Sequence, residues 1–378
     1  MTKKIKRNIL LNPGPATTSD TVKRAMVVPD ICPRETEFKK LMSDIRKQLV
    51  WIVKGGREYS CVLFAGSGTA GVEACINSVV PRGKKILIIN NGAYGKRMVE
   101  IAQAYRIGYV EIRFQATQKP DVKKIEKILK VTKNVSCVAM VHHETTTGIL
   151  NPLEEIGWIA KRFKCELIVD AISSFAGIPM NIKNTKVDYL ISSSNKCIQG
   201  MAGVVFVICK RSALMKTRHY KRRSYYLNLF DQYENFEKCE EMRFTPPVQV
   251  LYALKQAIKE YESEGGMNRY KRYTENWKTL REGLIKLGFE LLLDESLESH
   301  ILLTVKNPKD KNFSFKILHD LLYLKGFTIY PGKIYDQKTF RLANMGAINK
   351  DDMRAFLKAL KRSLKKMKSG QPALPNYS

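Results

Sequence analysis

Two ionisable residues stand at the ends of apolar runs, which is where an open α/β sheet places its chemistry. Lys196 follows the run "VDYLISS" and lies beside Asn195, and Asp170 closes the run "CELIV". Burying a carboxylate costs free energy unless a cation or several hydrogen bonds stabilise it. Asp170 is therefore either a helix cap for the residues that follow it or the counter-ion of a cationic group at the edge of the sheet.

A third stretch, "AGSGTAGVEA", places Gly66, Gly68 and Gly71 in the order G-x-G-x-x-G between a strand and a helix. Such glycines let the backbone approach a phosphate, and the free N–H groups of a helix start can hold it. A dinucleotide site would also need an acidic residue at the end of the next strand, which instead reads "IINNGAYG". The stretch therefore favours a smaller phosphorylated cofactor, with hydroxyl donors from Ser67 and Thr69.

The segment "MVHHETTTG" offers threonine hydroxyls and two adjacent histidines beside an acid, His142, His143 and Glu144. Adjacent residues in a strand point to opposite faces. The two histidines therefore do not share one ion easily, and no metal site is predicted here.

Pyridoxal phosphate is a cofactor that needs all three kinds of residue. Its phosphate suits a helix N-terminus, its ring nitrogen stays protonated beside a carboxylate, and its aldehyde bonds to a lysine amine. The glycine-rich turn, Asp170 and Lys196 provide these groups in that order on successive strand ends. The order predicts a pyridoxal phosphate enzyme.

The elements that must position these residues are visible as apolar runs that alternate with amphipathic helical patterns. Seven such runs occupy residues 60–65, 84–90, 109–114, 135–142, 165–171, 187–193 and 203–209. Near-continuous apolar strands separated by helices indicate a parallel sheet with both faces covered. The predicted fold class is α/β, with a mostly parallel seven-stranded sheet.

The pattern changes after about residue 250, where long helical stretches lead to short strands and a last helix. That change predicts a large cofactor-binding domain over 15–250 and a smaller α+β domain over 251–368. Residues 1–14 are predicted to be an arm associated with the small domain. Residues 369–378 lack periodicity and are predicted to be a flexible tail.

Composition limits the class of protein. A chain of 378 residues with 44% hydrophobic residues can bury a large core. No apolar run is long enough to cross a bilayer, and the apolar part of the N-terminus is too short for a signal peptide. The eight cysteines form no C-x-x-C pair, which favours free thiols and a cytoplasmic location.

The formal net charge of +29 invites a nucleic-acid interpretation. Most lysines, however, alternate with an apolar stripe on helix faces, which is typical of a solvated surface. The densest basic cluster, residues 216–226, is interpreted as a surface loop, and neither nucleic acid nor a membrane is predicted as a partner. A binding protein that uses this basic surface is the alternative from outside the enzymes, and such a protein would be colourless.

The motifs together resemble those of the class V aminotransferases, a family of fold-type I pyridoxal phosphate enzymes. The resemblance covers nearly the whole chain and rests on "LLNPGPATTSDTVKRAM", "AGSGTAGVEA", "NGAYGKRMVEIA", "MVHHETTTGILNPLEEIG", "IVDAISSFAGIPM", "DYLISSSNKCIQG", "RFTPP", "GFTIYPGK" and "FRLANMG". Within the family, "DYLISSSNKCIQG" and "YPGK" are most similar to members that act on 2-aminoethylphosphonate and pyruvate. The resemblance implies a ping-pong transamination giving phosphonoacetaldehyde and L-alanine, in a homodimer with shared active sites.

One segment departs from those members. Residues 30–38 read "DICPRETEF", which is nearer the wider family pattern. Transamination of the alanine–glyoxylate or serine–pyruvate type is therefore the alternative activity. Cysteine desulfurase activity is not expected, because no cysteine follows Cys239 to act on a mobile loop of the small domain.

The resemblance also implies two catalytic residues and one substrate contact. Lys196 would hold the cofactor covalently and move the proton, and Asp170 would pair with the ring nitrogen. Arg341, in "FRLANMG", would bind the substrate's anion through a two-pronged ion pair. Arg34, in the divergent segment, is the second candidate for the phosphonate.

The resemblance implies further cofactor contacts. Tyr94 would stack on the ring and Thr145 would meet its 3′ oxygen. Thr245, in "RFTPP", would reach the phosphate from the other subunit. The remaining contacts would come from Ser67, Gly68, Thr69 and Asn195.

Overall fold

The computed structural model describes residue 5 and residues 7–332 and 338–368. Its helices are α1 Asp20–Arg24, α2 Thr36–Ile52, α3 Gly68–Val79, α4 Ala93–Ala104, α5 Val122–Val131, α6 Leu153–Arg162, α7 Arg211–Lys216, α8 Leu229–Cys239, α9 Val248–Glu264, α10 Gly266–Lys286, α11 Phe315–Tyr323 and α12 Lys350–Lys368. Its strands are β1 Ile9–Leu10, β2 Tyr59–Gly66, β3 Lys85–Asn90, β4 Gly108–Arg113, β5 Val135–Val141, β6 His143–Glu144, β7 Ile149–Leu150, β8 Glu166–Asp170, β9 Tyr189–Ser193, β10 Gly203–Lys210, β11 Leu302–Lys306, β12 Phe327–Thr328, β13 Tyr330–Pro331 and β14 Thr339–Ala343. Single 3₁₀ turns occur at Gly56–Glu58, Thr217–His219 and Glu295–Leu297.

The central sheet has seven strands in the order β2-β10-β9-β8-β5-β3-β4. Each predicted apolar run forms one of these strands, so the predicted α/β fold with a mostly parallel sheet is confirmed. Only β10 runs against its two neighbours, β2 and β9. Helices cover both faces, and for that reason Ile86, Leu87 and Ile88 in β3 are each 0% exposed.

The parallel strands bring their carboxyl ends to one edge of the sheet. Gly66 ends β2, Asn90 ends β3, Asp170 ends β8 and Ser193 ends β9. Polar residues that are far apart in the sequence therefore meet at this edge. We call it the carboxyl edge.

A second hydrophobic core lies in the C-terminal part of the chain, around the three-stranded sheet β11-β14-β13. Leu280 and Leu284 of α10 belong to this second core. Leu254 and Ile258 of α9 belong instead to the core of the central sheet. The boundary between the two cores therefore falls after α9, one helix later than the predicted domain boundary at residue 250. The sequence does not reveal this, because the apolar stripe of a helix does not specify which core it packs against.

The amino-terminal segment is tied to the second half of the chain. Strand β1 pairs in parallel with β12, and the Leu11 carbonyl accepts a hydrogen bond from the Ala343 N–H at 2.7 Å. Residues 1–4 of the predicted arm, residue 6, Lys333 of the "YPGK" element and the predicted tail 369–378 lie outside the described residues.

The basic cluster at 216–226 makes contacts within the chain. Arg223 donates to the carbonyls of Asn77 and Val80, at 2.8 and 2.7 Å, where α3 ends. A cation at the C-terminal end of a helix is favoured by the helix dipole. Among the described residues, no helix is long and apolar enough to span a membrane.

Candidate active site

The turn from β2 into α3 leaves backbone N–H groups free at the carboxyl edge. Gly66 adopts φ +149°, and Ser67 precedes the helix without capping it through its side chain. The first N–H groups of a helix have no acceptor within the helix. A Cβ on Gly68 would lie 2.6 Å from Cδ1 of Ile172, so the helix start packs closely against the segment that follows Asp170.

Asp170 is only 5% exposed at the end of β8. One carboxylate oxygen, Oδ1, accepts a hydrogen bond from the Ile172 N–H at 2.9 Å. Burial raises the pKa of Asp170 to about 6, although the Ile172 hydrogen bond opposes that rise. Among the described residues, no cation lies within ion-pair distance of this carboxylate, so a cationic ligand beside it would be stabilised.

Lys196 lies three residues beyond the end of β9, and its amine donates to the carbonyl of Pro13. Burial lowers the pKa of Lys196, against the nearby Tyr94 and Asp170, which raise it. Gly14 has φ +127°, and a Cβ there would collide with the lysine side chain. The glycine therefore leaves the space that the lysine occupies.

Arg341 is 2% exposed in β14, where it pairs with Thr304 and Tyr330 of the neighbouring strands. Its guanidinium donates to the Pro331 carbonyl at 3.1 Å and the Thr145 carbonyl at 3.0 Å. Burial lowers the pKa of Arg341. Among residues 7–332 and 338–368, no carboxylate forms an ion pair with it, so the two carbonyls hold the group in place without neutralising its charge.

Thr145 lies between β6 and β7 and is 1% exposed. Its hydroxyl oxygen has no hydrogen-bond partner among the described residues. A buried hydroxyl without a partner costs about 1–3 kcal/mol. Such a group marks a position where a ligand atom is expected.

Glu144, which sequence analysis considers only as a metal ligand, is a helix cap. It is 0% exposed, and its Oε2 accepts from the backbone N–H groups of Tyr94 and Gly95, both at 3.3 Å. Its Oε1 accepts from the N–H and hydroxyl of Thr146. The carboxylate therefore fixes the start of α4, and with it Tyr94, against the loop that carries Thr145.

His142 and His143 contact different serines. The Nδ1 atom of His142 lies 2.9 Å from Ser174 Oγ, and Nε2 of His143 lies 2.8 Å from Ser299 Oγ. Burial lowers the pKa of His142 to about 4 and that of His143 to about 3. Both rings are therefore neutral near pH 7.

Arg97 is a residue of this edge that sequence analysis misses. Its NH1 donates to the Thr69 hydroxyl oxygen at 3.1 Å, and its Cζ lies 4.8 Å from the centre of the Tyr94 ring. The spacing of Tyr94 and Arg97 on one helix places them on the same face. That spacing is the signal that could have found it.

The structure brings together most of the predicted site residues at the carboxyl edge but leaves two outside. Asn195 lies beside Lys196, and its Oδ1 accepts from Ser193 at 2.9 Å. Arg34 is instead 82% exposed at the surface, 3.9 Å from Glu241. Thr245 is also exposed, so within one chain neither residue reaches the others.

A cavity of about 1200 Å³ opens at the opposite end of β2, beside Tyr59, Arg46 and Met267. It contains none of the predicted site residues. This cavity and the group of predicted site residues therefore lie at different places in the fold.

Four features of the carboxyl edge agree with a known family. They are the helix start with free N–H groups, the buried carboxylate of Asp170, the lowered pKa of Lys196, and Arg341, which has no ion pair among the described residues. The family model described as aminotransferase class-V matches residues 22–310. The chain belongs to the class V aminotransferases, which implies pyridoxal phosphate as cofactor.

Within this family, the chain is similar to proteins that share one name. A 2-aminoethylphosphonate–pyruvate transaminase of Bacteroides fragilis (strain YCH46) is 43% identical over 363 residues, covering 95% of this chain and 99% of the relative. A protein of the same name from Syntrophobacter fumaroxidans is 42% identical, covering 94% of this chain and 96% of the relative.

A solved structure has the same fold. The alanine–glyoxylate aminotransferase of Nostoc sp. superposes with a TM-score of 0.88 at 26% identity, covering 96% of this chain and 97% of that one. The fold is therefore the fold-type I architecture of these aminotransferases.

Proposed function

We propose that the chain is a homodimeric, cytoplasmic transaminase that uses pyridoxal phosphate to transfer the amino group of 2-aminoethylphosphonate to pyruvate. The products are phosphonoacetaldehyde and L-alanine. The observation that carries the proposal is the buried Arg341, which has no acidic partner among the described residues and lies near Lys196. The names of the relatives at 41–43% identity support the choice of substrates.

The residues at the carboxyl edge fit pyridoxal phosphate. The free N–H groups at the start of α3 suit a phosphate, with Ser67, Gly68 and Thr69 around it. Asp170 suits a protonated ring nitrogen. The hydroxyl of Thr145, which has no partner among the described residues, suits the 3′ oxygen of the ring. We assign Tyr94 to the face of the ring and Asn195 to the phosphate side.

When bound, pyridoxal phosphate supplies an electrophilic aldehyde and a ring that withdraws electrons. Because burial lowers the pKa of Lys196, a larger fraction of its amine is neutral than in water. Lys196 would hold the cofactor through its aldehyde, and once the substrate's amine has displaced it, the freed neutral amine would take a proton from the carbon that bears the substrate's amino group. Asp170 would hold a proton at the ring nitrogen of the bound cofactor, and its carboxylate must be ionised to do so.

Arg341 binds the anionic end of each substrate in turn. The first substrate presents a phosphonate and the second a carboxylate, and a guanidinium can bind either through two parallel hydrogen bonds. The Pro331 and Thr145 carbonyls orient the guanidinium beforehand. Less ordering is then required when the substrate arrives.

A second copy of the chain would complete the site. Thr245 is exposed, and the neighbouring Phe244 stacks on Tyr226 with ring centres 5.0 Å apart. Tyr225, beside this pair, is 73% exposed. The exposed Tyr225 and Tyr226 support an interface that would carry Thr245 to the phosphate of the partner subunit.

Replacing Arg341 with lysine should raise the KM for pyruvate about ten- to a hundredfold, because a charge-assisted two-pronged bond contributes about 1.5–3 kcal/mol. Lysine keeps the positive charge but cannot form two parallel hydrogen bonds to one anion. The visible absorbance of the bound cofactor should be unchanged, because Arg341 contacts the substrate. Steady-state kinetics with each substrate varied in turn measures the change, and affinity for 2-aminoethylphosphonate should fall with that for pyruvate.

Arg34→Lys is the matched control, since Arg34 is exposed and lies 3.9 Å from Glu241. Arg341→Lys could raise the KM for pyruvate alone, while Arg34→Lys raises the KM for 2-aminoethylphosphonate. That pair of results would show that the phosphonate binds at a site of its own. Unchanged KM values for both substrates in Arg341→Lys would remove this arginine from the site.

A panel of amino donors with pyruvate as acceptor tests the activity itself. We expect 2-aminoethylphosphonate to give the highest kcat/KM, ahead of serine. Glyoxylate is then tested as acceptor with alanine as donor. Faster turnover of alanine and glyoxylate, or of serine and pyruvate, would assign the chain to the alternative activity and contradict the proposed donor.

A further inference from the structure

Arg97 is a half-buried arginine on α4 that contacts two of the residues assigned to the cofactor. Its NH1 donates to Thr69 Oγ1 at 3.1 Å, and its Cζ lies 4.8 Å from the centre of the Tyr94 ring. Among the described residues, no carboxylate forms an ion pair with it. Its positive charge is therefore not neutralised by a direct ion pair, although Arg97 lies near enough to Asp170 to lower the pKa of that carboxyl.

The hydrogen bond to Thr69 determines what the threonine hydroxyl can do. A hydroxyl carries one hydrogen to donate, and its oxygen can accept. Because the oxygen of Thr69 accepts from Arg97, its own hydrogen is directed away from the guanidinium. No acceptor for that hydrogen is found in the part of the chain that the structure describes, and Thr69 is partly exposed, so the hydrogen is available to a ligand that displaces water there.

The electrostatics of the helix start favour an anion as that acceptor. Thr69 lies in the first turn of α3, where the helix dipole contributes a partial positive charge. The guanidinium adds a full positive charge within one hydrogen bond of the same turn. Both effects act in the same direction, and the α4 backbone that carries Arg97 is itself fixed by Glu144.

We propose that Arg97 is a positioning residue that holds Thr69 as a hydroxyl donor to the cofactor's phosphate. The inference rests on the proposed function and adds a residue that acts on the phosphate through another side chain. Its contact with the Tyr94 ring also ties the phosphate-binding turn to the residue assigned to the face of the cofactor ring.

Titration of apoenzyme with pyridoxal phosphate and with pyridoxal, which lacks the phosphate, separates the two ends of the cofactor. Both aldehydes attach to the same lysine, so the ratio of their affinities reports on the phosphate. In Arg97→Gln, the Kd for pyridoxal phosphate should rise about tenfold or more, as expected for the loss of a charged donor. The Kd for pyridoxal should change by less than about threefold, because pyridoxal has no phosphate and Arg97 reaches its ring only through Tyr94. Visible absorbance follows both titrations.

A double-mutant cycle with Thr69→Val tests whether Arg97 acts through Thr69. In the Thr69→Val background, Arg97→Gln should weaken pyridoxal phosphate binding by less than about threefold, because the shared hydroxyl is gone. A full tenfold effect in both backgrounds would overturn the positioning role. Equal losses for pyridoxal and pyridoxal phosphate, or no loss for either, would also overturn it.

Two further variants complete the test. Arg113→Gln removes an arginine that is 80% exposed on β4 and should leave both affinities unchanged. Arg97→Lys keeps the charge and one donor, so it should give a smaller loss than Arg97→Gln and still spare pyridoxal; a loss of pyridoxal affinity would contradict the proposal. Failure of the wild-type chain to bind either aldehyde would refute the proposed function, whereas a selective failure of the Arg97 predictions would not.

Discussion

Replacing Lys196 with alanine is expected to abolish the visible absorbance of the bound cofactor and to lower kcat by at least about 10²–10⁴-fold, the usual contribution of a positioned proton-transfer group. The amine that attaches the aldehyde and moves the proton is lost. The lysine side chain lies against Gly14 and donates to the Pro13 carbonyl. It is not part of the apolar core, so its loss should not disturb core packing. The chain should therefore remain folded, as circular dichroism and size-exclusion chromatography would measure.

Lys130→Ala is a suitable control, because Lys130 is 64% exposed on α5. It should keep the absorbance and the turnover of the wild type. Turnover near the wild-type rate in Lys196→Ala would contradict the assignment of the cofactor to this site.

Replacing Asp170 with asparagine should weaken pyridoxal phosphate binding about ten- to a hundredfold, the range for losing a hydrogen bond to a charged group. The amide oxygen can still accept from the Ile172 N–H, so the change removes the charge and preserves the local turn. In the wild type, protonation of Asp170 as the pH falls through about 6 should weaken binding. Asp170→Asn should lose that step, and titration of apoenzyme between pH 5 and pH 8 measures it.

Asp188→Asn is the matched control. Asp188 precedes β9, and its Oδ2 accepts from the Leu167 N–H at 2.9 Å, much as Asp170 caps Ile172. Burial raises the pKa of Asp188 as well, but it lies at the opposite edge of the sheet. Equal effects of the two substitutions, or none from Asp170→Asn, would favour a purely structural role for Asp170.

The central sheet could be predicted because each buried parallel strand appears in the sequence as an apolar run between two helical patterns. The antiparallel direction of β10 could not, because an apolar run carries no sign of its direction. The packing of α9 was also beyond prediction. Its stripe shows that Leu254 and Ile258 are buried but does not show which core buries them.

The candidate site also contains features that could be predicted from the sequence and features that could not. Lys196 and Asp170 stand out in the sequence because a charge at the end of an apolar run is costly and needs a reason. The contacts that orient the site join distant residues. Arg341 reaches Thr145 across 196 positions and Lys196 reaches Pro13 across 183. No local pattern encodes such pairs. Arg97 differs, because its spacing from Tyr94 on one helix is a local signal that places the two side chains on the same face.

The path of the amino-terminal segment determines when the site can form during synthesis. Lys196 contacts Pro13, the Leu11 carbonyl accepts from Ala343, and the Thr17 carbonyl accepts from the Ala347 N–H at 2.8 Å. The strands of the central sheet lie between residues 59 and 210, so they leave the ribosome well before Ala343 and Ala347. Domains generally fold as units while synthesis continues. The growing chain therefore passes through a stage in which the central sheet and Lys196 are already made, but Leu11 and Thr17 lack their hydrogen-bond partners Ala343 and Ala347.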